Sequence, residues 1–98
     1  MILEAAMLHI QPGQSQDFEA SFRKASAIIA SMQGYVSHEL LKCIEEKDQY
    51  LLLVKWDNLQ AHTVGFRGST EYQEWKRLLH HYYDPFPVVE HFENVELG

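Results

Sequence analysis

Strand-like runs that are apolar on both parities, set around helices that are apolar on one face only, constrain this chain more than any other feature. Ile2 to Ile10 carries apolar side chains at odd and even positions alike, as a strand covered on two sides does. Pro12-Gly13 breaks it. Phe18, Phe22, Ala25, Ile29 and Met32 then recur at spacings of 4, 3, 4 and 3, which predicts an amphipathic helix with Gly34 at its C-terminal cap. Tyr35 to Ile44 and Gln49 to Trp56 read as two further strands, joined by the charged turn Glu45-Glu46-Lys47-Asp48. Asp57 with Gln60 has the form of a capping box opening a short helix through Phe66. Gly65 and Gly68 bracket a break, and Ser69 caps another helix, along which Tyr72, Trp75, Leu79 and Tyr82 repeat. Pro85 and Pro87 end that helix, and Val88 to Val95 is the last strand.

Pairing Ile44 with Gln49 sets His38 across from Lys55 and Ser37 across from Trp56. Glu39, Leu41 and Cys43 then share a face with Leu52, Val54 and Trp56, while His38, Leu40 and Lys42 share the other with Leu51, Leu53 and Lys55. A bulge would change this register.

The order strand, helix, strand, strand, helix pair, strand is the split βαβ unit. We therefore expect an α+β, ferredoxin-like βαββαβ fold with a four-stranded antiparallel sheet, as one domain over residues 1–98. Helices shield one face of such a sheet. The other face here is still apolar on every strand, a liability in a monomer. Two copies packed sheet to sheet remove it, so the expected partner is a second copy, forming a dimeric α+β barrel through the open sheet face. A chain of this length buries only roughly two-thirds of its unfolded surface, which also favours a shared core.

Eight Lys and Arg stand against fourteen Asp and Glu, a net charge of −6, and the basic residues never form a run. Nucleic acid and anionic membrane surfaces are thus not expected partners. Cys43 is the only cysteine, so no intrachain disulfide can form, and a buried inert thiol is the simpler reading. The first residues lack a basic n-region and no run of about 18 apolar residues exists to span a membrane, so a cytoplasmic location is expected.

Gly34-Tyr35 before the second strand, Trp56-Asp57-Asn58-Leu59-Gln60-Ala61-His62 after the third, the stretch Gly65 to Trp75, and Phe86-Pro87-Val88-Val89-Glu90-His91-Phe92 resemble the antibiotic-biosynthesis-monooxygenase family over nearly the whole chain. The resemblance implies a dimeric α+β barrel with a pocket between sheet and helices. It further implies oxidation of quinols or aromatic polyketides by O2 without metal or flavin, although some relatives degrade haem and others isomerise small metabolites. The pocket tryptophan of the polyketide-oxidising members matches Trp56. Their helix tyrosine falls on His62, their strand-three asparagine on Leu52, and their arginine near Lys76 or Arg77. Of the haem-degrading members' residues, the strand-one asparagine falls on Ala6, the helix tryptophan on Gly65 and the axial histidine near Trp75 or Lys76, a poor match.

Oxygenation without a cofactor needs a base, a dry pocket, and donors for a developing peroxide anion. His62 has the residue type for the base. Trp56 and Tyr72 each supply one donor on an apolar body, and Phe66 and Trp75 would line an aromatic slot. Arg67 would hold an anion, with His38 and Glu39 as further substrate contacts. Bland alternatives stand beside these: His62 as a surface histidine, Trp56 and Trp75 as core packing, and Arg67 as a partner for helix carbonyls or an acid. Six histidines invite a metal reading, but His80 and His81 are adjacent, no pair stands at i, i+4, and no HExxH or Cys/His spacing occurs, so no metal or other cofactor is expected. Three functions remain: a cofactor-independent monooxygenase acting on a small aromatic, quinol-like or polyketide substrate, an isomerase of a small carbonyl metabolite using His62 with Glu39 or Tyr72, or a ligand-binding module without turnover.

Overall fold

A computed structural model describes all residues from Met1 to Gly98. In chain order it has β1 (Ile2–His9), α1 (Ser15–Ala30), β2 (Tyr35–Lys42), β3 (Gln49–Trp56), a π-helical segment (Ala61–Phe66), α2 (Thr70–Leu79), a 3-10 turn (His80–Tyr82) and β4 (Val89–Phe92). The strands form one antiparallel sheet in the order β2-β3-β1-β4, the ferredoxin-like arrangement.

Helix α1 forms because Phe18, Phe22, Ala25 and Ile29 fall on one face and are all buried against the sheet. Gly34 follows at φ +86, and its carbonyl accepts the Asp57 N–H at 2.8 Å, tying the end of α1 to the end of β3. Ser69 starts α2 as its spacing predicts: Ser69 Oγ accepts the Tyr72 N–H at 3.1 Å, and Trp75 and Leu79 are buried below it. The cap between β3 and the π-helical segment is Asn58 rather than Asp57, since Asn58 Oδ1 accepts the Ala61 N–H at 2.9 Å. The last strand is shorter than its apolar pattern suggests, because only residues 89–92 pair with β1.

The β2–β3 register differs by one residue from the pattern-based expectation. His38 pairs with Val54, Leu40 with Leu52 and Lys42 with Tyr50, with a bulge between Tyr35 and Ser37. The hairpin loop takes in Ile44, Cys43 N–H bonds to the Gln49 carbonyl at 2.9 Å, and Asp48 turns the chain at φ 60. A one-residue slip exchanges the faces of the whole strand. His38 therefore lies on the helix side with Val54, and Glu39 on the open side with Leu53.

All 15 buried apolar residues lie between the sheet and the helices, among them Leu8, Phe18, Val54 and Trp56. The opposite face carries Leu3, Met7, Leu41, Leu51 and Leu53, with Phe92 on the neighbouring edge strand. Met7 is 42% and Leu41 43% exposed. No helix is long and apolar enough to cross a membrane.

Candidate active site

A cavity of about 390 Å³ opens between the sheet and the helical layer. Its floor is the helix side of β1 and β3, with Glu4, Ala6, Leu8 and Leu52, and its roof comes from the π-helical segment and α2. The π-helical turn is held by the Arg67 N–H on the His62 carbonyl at 3.1 Å. The wider turn brings His62 and Phe66 inward together and leaves Arg67 exposed at the rim. Gly68 closes the turn with its N–H on the Val64 carbonyl at 3.0 Å, and a Cβ on Gly68 would lie 2.6 Å from that oxygen.

One row of the sheet organises the polar end of the cavity. His38, Val54, Glu4 and His91 stand side by side on β2, β3, β1 and β4. Glu4 is only 6% exposed, a carboxyl inside an apolar strand. Trp56 Nε1 donates to Glu4 Oε1 at 2.9 Å, and His62 Nε2 lies 3.4 Å from the same oxygen. The other His62 nitrogen, Nδ1, is 2.8 Å from His91 Nε2. The Trp56 and His62 rings stack with centroids 5.4 Å apart and planes 21° from parallel. Glu4 Oε2 has no hydrogen-bond partner within the chain, and every fully enclosed side-chain nitrogen or oxygen does have one. Oε2 therefore opens into the cavity that Glu4 lines.

Burial dominates the electrostatics here. It raises the Glu4 pKa above the usual carboxylate value, opposed by the Trp56 hydrogen bond and the Arg67 charge. Burial first, then Arg67 and His91, pull the His62 pKa down to about 3. His91 is lowered by burial and by Arg67, and His80 by burial and by Lys76. Burial also pushes the Tyr83 phenol up, reinforced by Tyr72 and Glu4. Burial thus works against charge on both Glu4 and His62, and any charge placed in the cavity will be felt strongly by both.

Five of the eight residues singled out from the sequence, His62, Phe66, Arg67, Tyr72 and Trp75, line this cavity together. Trp56 lies behind it, 0% exposed, and reaches it only through Glu4. His38 is held away from it, bonded to the Tyr35 hydroxyl and edge-on to Phe22. Glu39 is on the opposite face of the sheet, for the register reason given above. Sequence reasoning missed Glu4 and His91. The signal for Glu4 was its parity: it shares the face of Ala6 and Leu8, where an acid must be either costly or useful. Glu4, His62 and His91 are strung in a line on opposite sides of the His62 ring, and no group of three His, Cys, Asp or Glu side chains is gathered so as to hold a metal ion.

The family model for antibiotic biosynthesis monooxygenases matches residues 1–78. The chain belongs to that family. YczJ of Bacillus subtilis strain 168 is 61% identical over 95 residues, covering 97% of this chain and 100% of YczJ. A crystal structure of an antibiotic biosynthesis monooxygenase-type protein from Bordetella bronchiseptica is 34% identical, with a TM-score of 0.91 and 97% of each chain covered. SnoaB from Streptomyces nogalater, a cofactor-independent oxygenase, shares the fold at a TM-score of 0.84 and 17% identity, over 97% of this chain and 93% of its own. This antibiotic biosynthesis monooxygenase family member thus has the family's sheet-and-helix frame, with a buried carboxyl–imidazole pair at the floor of its cavity.

Proposed function

We propose that this protein is a cofactor-independent monooxygenase that oxidises a small aromatic, quinol-like or polyketide substrate with O2 in the cavity under α2. The observation that carries this reading is the Glu4–His62 pair, buried at the end of a cavity walled mainly by aromatic and aliphatic side chains, with Arg67 and His80 also in its wall. Family membership supports it, as does the shared fold of SnoaB.

Both nitrogens of His62 are engaged, so the free acceptor facing a substrate is Glu4 Oε2, with His62 acting through Glu4. Burial makes this carboxylate a stronger base than a surface glutamate. It removes the proton from a phenol, or from a carbon next to a carbonyl, leaving a phenolate or enolate. That anion gives one electron to O2, and the two radicals combine to a peroxide anion, which takes back a proton. Loss of water from the peroxide leaves a carbonyl, so that for a CH2 flanked by aromatic rings the sum is CH2 + O2 → C=O + H2O. Tyr72 and Arg67 supply the donor and the positive charge that favour these anions. Trp56 positions Glu4 and does not touch the substrate.

The test is oxygen uptake with a panel of hydroquinones and anthrones. The wild type is expected to consume O2, and Glu4→Gln to lose roughly a hundredfold or more, the usual contribution of a general base. Equal rates would remove Glu4 from the reaction, and no uptake with any of the panel would remove the reaction itself. The same pair could also move a proton between two carbons of a carbonyl compound, in which case product forms under argon.

The working form is a homodimer joined through the open sheet face. The support for it is the exposed apolar side chains of that face, including Met7, Leu41 and Phe92.

A further inference from the structure

The chain of polar contacts at the cavity floor continues past the base to the edge of the sheet. Glu4 sits on β1, a central strand, and His91 on β4, the outermost strand on that side. His62 bridges them from above, with Nε2 toward Glu4 at 3.4 Å and Nδ1 toward His91 at 2.8 Å. His62 is 3% exposed and takes no other hydrogen bond, whereas His91 is half-buried and is not part of the cavity wall. One end of the chain therefore faces the substrate space and the other faces outward, away from that space.

We infer that Glu4, His62 and His91 form a proton relay that carries the substrate's proton from the cavity to solvent through the side of the sheet, with His91 as its outer end. The origin of the proton is the proposed oxidation, while its route follows from the three side chains alone. Each transfer moves one proton across one polar contact, the 3.4 Å approach of Glu4 and His62 or the 2.8 Å hydrogen bond of His62 and His91, and no electrons. Glu4, protonated by the substrate on Oε2, turns its carboxyl so that this proton faces His62 Nε2 and passes to it, while the other oxygen takes up the Trp56 N–H. His62 gives the proton on Nδ1 to His91 Nε2, and His91 releases the proton on its own Nδ1 to water. One proton has left the substrate and one has entered solvent, and each imidazole has changed tautomer; the same chain run in reverse returns the proton that the peroxide anion takes up and restores both tautomers. The groups facing His62 from neighbouring elements are Glu4 on β1, Trp56 on β3, His91 on β4 and Arg67 at the rim.

The surroundings suit transit rather than storage. Burial first, and then the Arg67 charge, disfavour a lasting imidazolium on either ring, so a proton arriving at His62 moves on. Trp56 donates to the Glu4 carboxyl and stacks on His62, which keeps carboxyl and imidazole side by side. A closed cavity gains from such a route: once substrate fills the mouth, a proton has no path through it.

The variants that separate a relay from a structural role are His91→Gln and His91→Ala. Glutamine can still hydrogen-bond His62 Nδ1 but cannot pass a proton, and alanine leaves space for added imidazole. Under argon, 4-nitrophenol is mixed with protein in a weakly buffered solution containing a pH indicator. Phenolate formation and proton release are followed together by stopped-flow absorbance. The wild type should release the proton as fast as phenolate forms. His91→Gln should slow the release by about tenfold or more, and imidazole should restore it in His91→Ala. Unchanged release in His91→Gln overturns the relay.

A second measurement needs no ligand and separates failure of the relay from failure of the oxidation. Exchange of the His62 ring N–H with water is read by NMR in wild type and His91→Gln. The relay requires slower exchange in the variant, by about tenfold. Equal or faster exchange, the sign of a merely loosened structure, overturns it. Slower exchange combined with no binding of 4-nitrophenol keeps the relay and discards the phenol substrate.

Discussion

Trp56 donates its indole N–H to Glu4 Oε1 at 2.9 Å, a single bond that joins the most deeply buried aromatic of β3 to the only acid on the core side of β1. Trp56→Phe keeps most of the ring volume and removes the donor. Leaving a buried acceptor unpaired costs about 1–3 kcal/mol, which a urea titration will show. The Trp56 bond lowers the Glu4 pKa against the effect of burial, so the variant should carry a still higher value. An oxidation that needs ionised Glu4 then has its acidic limb moved to higher pH. A pH–rate profile in which that limb stays put would mean that Trp56 does not set the protonation of Glu4.

Much of the frame was legible because its signals are periodic. The recurrence of Phe18, Phe22, Ala25 and Ile29, and Ser69 ahead of Tyr72 and Trp75, placed both helices and the face each buries. The register of β2 against β3 was not legible, since it depends on a bulge at Tyr35/Ser37 and on how many residues the hairpin loop absorbs, neither of which leaves a period in the sequence. That slip decided the fate of Glu39 and His38. Five of the fourteen residues of the cavity wall were readable, because His62, Phe66, Arg67, Tyr72 and Trp75 lie on one local segment. Glu4 and His91 lie near opposite ends of the chain, and only the order β2-β3-β1-β4 brings them together beside His62.

Gly34 and Ala61 make the contact that seats the π-helical segment. A Cβ on Gly34 would lie 2.5 Å from the Ala61 Cβ, and the φ of +86 at Gly34 is itself unfavourable for any other residue. Gly34→Ala should therefore destabilise by about 2–4 kcal/mol, combining overpacking with backbone strain. Adding Ala61→Gly removes the steric part but not the backbone part, so the double variant should recover some of the loss and not all of it. Full recovery, or none, in chemical denaturation would show that one of the two causes is absent.

Stability should depend on pH through His62 and Glu4 with opposite signs. The folded protein holds His62 at a pKa of about 3 against 6.5 for a free imidazole, so the unfolded chain binds the extra proton first. The stability from keeping this ring neutral is fully present above 6.5 and is lost as pH falls towards 3. It amounts to roughly 2 kcal/mol by about pH 5. Glu4 is raised from 4.5, so its contribution is present below that value and lost as pH rises through the folded one. Between those limits the two oppose each other. His62→Gln removes the first term, so its stability should change less than that of the wild type between pH 6.5 and 5, or even rise on acidification. Urea titrations of both proteins at a series of pH values measure this, and parallel curves would place the acid sensitivity elsewhere.

The open sheet face can be tested without any substrate. Met7 and Leu41 are 42% and 43% exposed on the face that no helix covers, and Phe92 is 51% exposed on the neighbouring edge strand. A pair of sheets closing on one another would bury all three, and a charge in the seam would then be unpaired and desolvated. Met7→Lys together with Leu41→Lys should turn a dimer into a monomer in sedimentation. The two positions face away from the core, so the cavity should keep its ligand affinity if it is complete within one subunit. Loss of ligand binding in a folded monomer would instead mean that the second copy helps to form the site. A wild type that sediments as a monomer at every concentration would leave the apolar face without a partner of its own kind.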